Sequence, residues 1–317
     1  MNSHNPQADE LSWNGITWRN IVNPSPETFA QLEADYQLHP VHLKESIQTI
    51  QLTQVEREAH YIFLLVHVPT HDPVTDRIYT SQVGVFLGSN FVITIADGRK
   101  SVISDLFNSC QTDHDLADQY CHDSAGYLLY SILKKLLEDI SSTVEALLCQ
   151  LDTIEGLVFD DDKSDAYEIG KLRQKITRLK RIVKPLQLVL GDLSQQIKGF
   201  SGEGLTRYYA NNAKLAHKLS EVIDEAQETI EIFKDADFTT STEQTNQILS
   251  ILTLVFTLTI PVTVLGTLYG MNVPLPGGNE FGVWTFLGPY TTAILVTLVS
   301  VNLAGFMYLY FKTKRWF

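Results

Sequence analysis

The sequence predicts a mixed α/β domain, then long helices, then a two-helix membrane hairpin at the C-terminus. Three observations carry this prediction. No charged residue occurs from Ile248 to Tyr269, nor from Trp284 to Phe311. About 20 apolar residues at roughly 1.5 Å each cross a hydrocarbon core of roughly 30 Å. Val-, Ile- and Phe-rich runs alternate with turn residues over 11–97, which reads as strands. From about residue 99 the apolar spacing changes to three and four, the helical period.

Taken in order, SWNGITWRNIV (12–22) reads as a strand pair or one long strand. PETFAQLEADY (26–36) is a helix with Ser25 as N-cap and Pro26 in its first turn. HPVHLKESI (39–47) is a second, short helix. AHYIFLLVHVPT, IYTSQVGVFLG and NFVITIAD are strands, joined by THDPVTDR and GSN. Residues 123–158 form a long helix that stops at the acidic run Asp160–Asp162. A second spans 165–198, with Lys and Arg interleaved among Leu and Ile; Pro185 lies where it can bend. Gly199, Gly202 and Gly204 break the chain. The third helical segment starts near Glu203, and neither Gly nor Pro occurs from Leu205 to Ile260. One helix therefore runs through a cytoplasmic stalk into the membrane, with Pro261 inside it. The alternative is two helices hinged near Asp237–Thr242.

The expected division is 1–120 cytoplasmic α/β domain, 121–202 long cytoplasmic helices, 203–243 stalk, 244–271 first membrane helix, 272–283 extracellular connection, 284–311 second membrane helix and 312–317 basic tail. Lys312, Lys314 and Arg315 follow the second membrane helix, whereas 271–283 holds no Lys or Arg and one acid, Glu280. The positive-inside rule places both termini in the cytoplasm of a chain in the cell membrane.

Charge excludes one class of partner. The 37 acidic residues against 24 basic give a net −13, which opposes nucleic acid and attracts cations. The N-terminus lacks an apolar segment of signal type. Three cysteines, Cys110, Cys121 and Cys149, fit a reducing compartment better than a disulfide framework. No P-loop or hydrolase arrangement stands out, so no enzymatic activity is expected. His39 with His42, His67 with His71, and Cys110/His114/Cys121/His122 are near in sequence, but none has a regular zinc ligand set.

Along the first membrane helix, Asn246, Leu249, Thr253, Phe256, Ile260, Thr263 and Thr267 recur at spacings of three and four. This is a seam of average period 3.5, the kind that packs against copies or a neighbour. Its polar members are small. Polar side chains within a bilayer mark a bundle interior or a wet path, although a threonine can bond its own backbone instead.

Tyr269-Gly270-Met271-Asn272 closes that helix. The ending resembles the signature of the CorA family of magnesium transporters. Thr245-Asn246 match its TN pair, Pro261 and Thr263 its proline–threonine position, and Lys312–Phe317 its basic, Trp-containing end. The order of domains is similar too.

The resemblance implies a homopentamer of this chain in the lipid bilayer, passing Mg²⁺, and also Co²⁺ or Ni²⁺, along one axis. Gly270, Met271 and Asn272 would form the outer mouth. Mg²⁺ sheds its water reluctantly and prefers octahedral oxygen. Asn272 amide and Gly270 carbonyl oxygens would accept hydrogen bonds from that water, and Asn246 would do the same at the inner end. Thr263 and Thr267 would pass the hydrated ion, while Leu249, Phe256 and Ile260 would close by dewetting. Cytoplasmic Mg²⁺ held by Glu45 and Asp235 would regulate closure. Lys44 and Asn211 depart from the family's acids and weaken that expectation. The alternatives are a zinc transporter of the ZntB type, whose branch departs from YGMN, and a membrane-anchored cation-sensing scaffold that conducts nothing.

Overall fold

The computed structural model describes residues 7–48, 52–72, 75–96, 102–122, 124–158, 166–198, 204–271 and 291–314. The chain divides into two compact units, Met1–Asp235 and Ala236–Phe317.

The first unit is a six-stranded sheet with helices on both faces. The strands are β1 (Gln7–Trp13), β2 (Ile16–Val22), β3 (Gln54–Arg57), β4 (Ile62–Asp72), β5 (Arg77–Leu87) and β6 (Phe91–Ala96). Their order is β1-β2-β6-β5-β4-β3. Among the described strands only β2–β6 is parallel. The strand pair expected at 12–22 is a hairpin that starts earlier, at Gln7. Trp13 pairs with Ile16 around a two-residue loop. Asn14 and Gly15 both take positive φ, 48° and 79°. An Asn-Gly loop of this kind matches the right-handed twist of its strands.

Helices α1 (Pro26–Tyr36) and α2 (Pro40–Glu45) cover one face. Ser25 caps α1 by accepting from Thr28 N, and His39 caps α2 by accepting from Val41 N. Under them lies an apolar cluster that includes Leu32, Leu38, Leu43, Phe63, Phe86 and Ile95. On the other side are α3 (Val102–Thr112), α4 (His114–Tyr120), α5 (Ala125–Val158) and α6 (Ala166–Gln196). Trp18 is fully buried there, with its ring edge-on to Phe107 of α3. Both faces of the sheet being covered, β5 from Ser81 and β6 from Val92 are buried at successive positions rather than alternately.

Helix α7 (Leu205–Gly270) is unbroken for 66 residues, so no hinge interrupts it at 237–242. Its first half belongs to the first unit. Tyr209 donates to Gly126 O at 2.7 Å and Asn212 Nδ2 to Tyr130 O at 3.1 Å, fixing it to α5. Asp224 joins it to Lys180 and Lys184 of α6 at 2.7 and 2.9 Å. These ammonium groups hold the Asp224 carboxyl below its usual range.

The second unit holds the rest of α7, and α8 (Thr291–Thr313). Both helices are long and apolar enough to cross a membrane. The connection expected at 272–283, the proposed start of the second span at 284–290, and Arg315–Phe317 lie outside the described residues. Helix α8 runs two residues past the expected end at 311, to Thr313.

Candidate ion path and cytoplasmic carboxylates

Helix α7 shows three longitudinal faces in the membrane unit. From residue 244 to 270, Ser250, Leu254, Thr257, Pro261 and Leu265 are the residues sheltered from solvent. Helix α8 shelters a stripe likewise, Val296, Ser300, Ala304, Met307 and Phe311, besides Thr291 at its start. One sheltered stripe on each helix is the pattern of a packed helix pair. At about 100° per residue, the seam Asn246–Thr267 lies about 120° around α7 from its sheltered stripe. All seven seam residues are exposed in the single chain, with Leu249 at 53%, Phe256 at 53% and Ile260 at 55%. The seam drifts only about 20° per heptad, so it stays one stripe along the span. The remaining face is apolar: Ile248, Ile251, Val255, Leu258 and Val262, all exposed.

The seam threonines share one geometry. Thr253 Oγ1 donates to Leu249 O at 2.7 Å, Thr263 to Thr259 O at 2.9 Å and Thr267 to Thr263 O at 2.7 Å. This is the backbone bonding that threonine adopts in helices. It uses the hydroxyl proton and leaves oxygen lone pairs to accept. Gly270 ends α7 and Met271 follows, with its N–H on Leu268 O at 3.4 Å. Asn272 lies outside the described residues.

In the first unit, Glu45 ends α2 and is held from two strands. Gln54 Nε2 donates to Glu45 Oε2 at 3.0 Å, and Gln82 Nε2 to the Glu45 carbonyl at 2.8 Å. Ser46 is packed against Gly84, where a methyl group would overlap its Cβ. Asp235 is well exposed on α7, 3.4 Å from Lys234 Nζ. Lys44 and Asn211 are exposed. Gln54 and Gln82, which position Glu45, carry no motif and were not expected.

Several of the histidines have structural partners, and Cys110 and Cys121 are buried. His42 Nδ1 bonds the Tyr61 hydroxyl at 2.8 Å and its Nε2 lies 3.1 Å from Glu56. His67 Nδ1 bonds Thr53 at 2.9 Å, and burial holds its pKa below the ordinary value. His114 stacks on Trp13. His71's side chain lies outside the described residues. Burial pushes the Cys110 thiol up to about 12 and that of Cys121 up to about 11. Among the described residues no group of three or more His, Cys, Asp or Glu could hold a metal.

Comparison with known proteins adds to this geometry. A family model described as "CorA-like Mg2+ transporter protein" matches residues 13–313. The cobalt/magnesium transport protein CorA of Thermotoga maritima is 21% identical over 95% of this chain and 83% of its own length. The putative metal ion transporter YfjQ of Bacillus subtilis is 22% identical over 98% of this chain and 92% of its own. Among solved structures, full-length CmaX superposes with a TM-score of 0.76 at 18% identity, covering 95% of this chain and 89% of that one. The CorA magnesium transporter of Methanocaldococcus jannaschii gives 0.75 at 19%, covering 98% and 95%. The ZntB cytoplasmic domain of Vibrio parahaemolyticus gives 0.58 at 15%, covering 72% and 88%.

Proposed function

The chain belongs to the CorA-like Mg²⁺ transporter family, and from that premise we propose that it passes hydrated Mg²⁺ through an axial path lined by α7. It is a membrane protein of a divalent-metal transporter family, and its relatives bear transporter names rather than enzyme names.

One observation carries the proposal. A membrane helix exposes a stripe bearing one Asn and three Thr, turned away from the stripe it shelters. Facing lipid, that stripe would hold the polar groups where they are least useful; gathered around an axis by copies of the chain, it lines a conduit. Leu249, Phe256 and Ile260 would alternate with it as apolar constrictions. The homopentamer, the mouth at Gly270, Met271 and Asn272, and the cytoplasmic placing of both termini belong to this reading. So does closure by Mg²⁺ at Glu45 and Asp235. A divalent ion entering down 100 mV gains about 4.6 kcal/mol, twice the single-charge value, so no nucleotide is needed to drive it. The likeness to a ZntB domain is one of fold and selects no ion. Mg²⁺ over Zn²⁺ rests on the family and on the Tyr269–Asn272 ending.

The test is Mg²⁺ uptake into proteoliposomes by the wild type and Asn272→Ala, with oligomeric mass measured in detergent. The reading expects an oligomer and a deep loss of uptake in the variant. Equal uptake removes the mouth assignment, and a monomer removes the axial path.

A further inference from the structure

A cavity of about 520 Å³ opens in the first unit between the start of β5 and the N-terminal half of α6. It shares no residue with the proposed ion path. Arg77, Lys171, Lys175 and Arg178 line it, and among the described lining residues Asp76 is the single carboxylate. That carboxylate is shared. Its Oδ2 lies 2.7 Å from Lys175 Nζ and 3.0 Å from Lys171 Nζ. Glu168, one turn earlier on α6, adds a second negative charge near Lys171.

Among the described residues the balance remains positive. Arg178 donates one N–H to Ile78 O at 2.9 Å, which orients its guanidinium without neutralising it. Among the described residues no carboxylate pairs with Arg77 or Arg178. Lys175 is sunk in the wall, its side chain 7% exposed, with Gln150 Oε1 as its other acceptor at 3.1 Å. Cations held in a concave wall of low dielectric raise the potential in the cavity well above that of scattered surface lysines. Two guanidinium groups beside two ammonium groups match the tetrahedral oxygens of phosphates. At the rim, Tyr167 is 74% exposed and offers a ring face beside the cations.

We propose that this cleft binds a polyphosphate anion, with a nucleoside triphosphate or inorganic polyphosphate as the source. Arg77 and Lys171 hold the outer phosphate oxygens. Lys175 and Arg178 supply the charge of the inner wall, and Tyr167 accommodates a base where one is present. In a net-negative protein this is a local reversal of sign, suited to a ligand the rest of the surface repels.

The probes are ATP, sodium tripolyphosphate and inorganic phosphate, each titrated calorimetrically into the full-length protein in detergent and EDTA. ATP and tripolyphosphate should bind, inorganic phosphate at least tenfold more weakly. Arg77→Gln/Lys171→Gln should weaken both ligands at least tenfold with its melting temperature kept. Tyr167→Ala should weaken ATP and leave tripolyphosphate unchanged if the base is read; loss of neither assigns the inorganic source. Vesicles containing a phosphoinositide form a further arm, and binding to them with none to ATP or tripolyphosphate overturns the proposal. So does equal binding by the wild type and the double variant. Absence of any heat also overturns it.

Discussion

Replacing Asp76 by asparagine should destabilise the first unit by about 2 kcal/mol. Removing one partner of a buried ion pair costs about 3–5 kcal/mol, because the remaining charge stays desolvated. Exposed pairs contribute only about 0–1 kcal/mol. This pair lies between those limits: Lys175 is 7% exposed and Asp76 38%. Gln150 would still accept from Lys175, which lowers the cost further. Asparagine is the right replacement because Asp76 sits at φ 51°, in the left-handed region that Asn tolerates. The backbone is then unstrained and the effect is that of charge. For a unit the length of Met1–Asp235, each kcal/mol moves the midpoint by about 2–4 °C, so the expected drop is roughly 4–8 °C. Thermal unfolding of the purified protein, followed by tryptophan fluorescence, reads it through Trp13 and Trp18. Asp76→Asn with Lys175→Met removes both charges and should recover most of the loss. A midpoint within a degree of wild type for the single variant, or a double variant that falls further still, would refute the reasoning.

Three further outcomes follow from the first unit. His67 is held neutral by burial, its folded pKa below the unfolded value near 6.5. Its contribution is therefore complete above pH 6.5 and is lost as pH falls toward the folded value; His67→Gln should flatten the melting temperature over that window, and an unchanged slope counts against it. Gly84→Ala should lower stability by about 1–3 kcal/mol in chemical denaturation, since the methyl meets Ser46 backbone and Cβ rather than a movable tip. Mg²⁺ should protect the first unit from protease in wild type and not in Glu45→Ala/Asp235→Ala; equal protection in both would remove the sensor role.

What the sequence disclosed followed from how local each signal is. The membrane helices were legible because exclusion of charge over about 20 residues needs no tertiary context. The Asn14-Gly15 turn lay inside the strand region read at 12–22, but β1 beyond it is a polar edge strand, and QVER of β3 is short and half exposed; neither alternates clearly enough to read. The seam on α7 was legible as spacing. Which of its atoms are engaged was not, because a threonine hydroxyl's partner is a rotamer choice. Glu45 was singled out, yet its two glutamine supports come from positions 9 and 37 residues away in the chain. The basic cleft was hidden for the same reason. Lys and Arg among the Leu and Ile of α6 read as a solvated helix face until β5 brings Arg77 against them.

The threonines of α7 turn the proposed path into a claim about dipoles. With each hydroxyl proton committed to a carbonyl four residues back, the oxygen turns its lone pairs away from the helix backbone. A hydrated Mg²⁺ presents only water hydrogens to its surroundings, so such oxygens suit it, whereas an anion meets the wrong end of every dipole. Valine has nearly the shape of threonine and lacks the oxygen. Thr263→Val/Thr267→Val should therefore assemble normally and slow Mg²⁺ uptake. A neutral hydrogen bond contributes about 1 kcal/mol net, which is roughly fivefold in rate for one bond lost in the limiting step. Uptake in proteoliposomes at a fixed potential should fall by at least that factor, with oligomeric mass unchanged. Wild-type uptake in the double variant would mean the hydroxyls serve only their own helix, and the polar lining would have to be sought at Asn246 and beyond Met271.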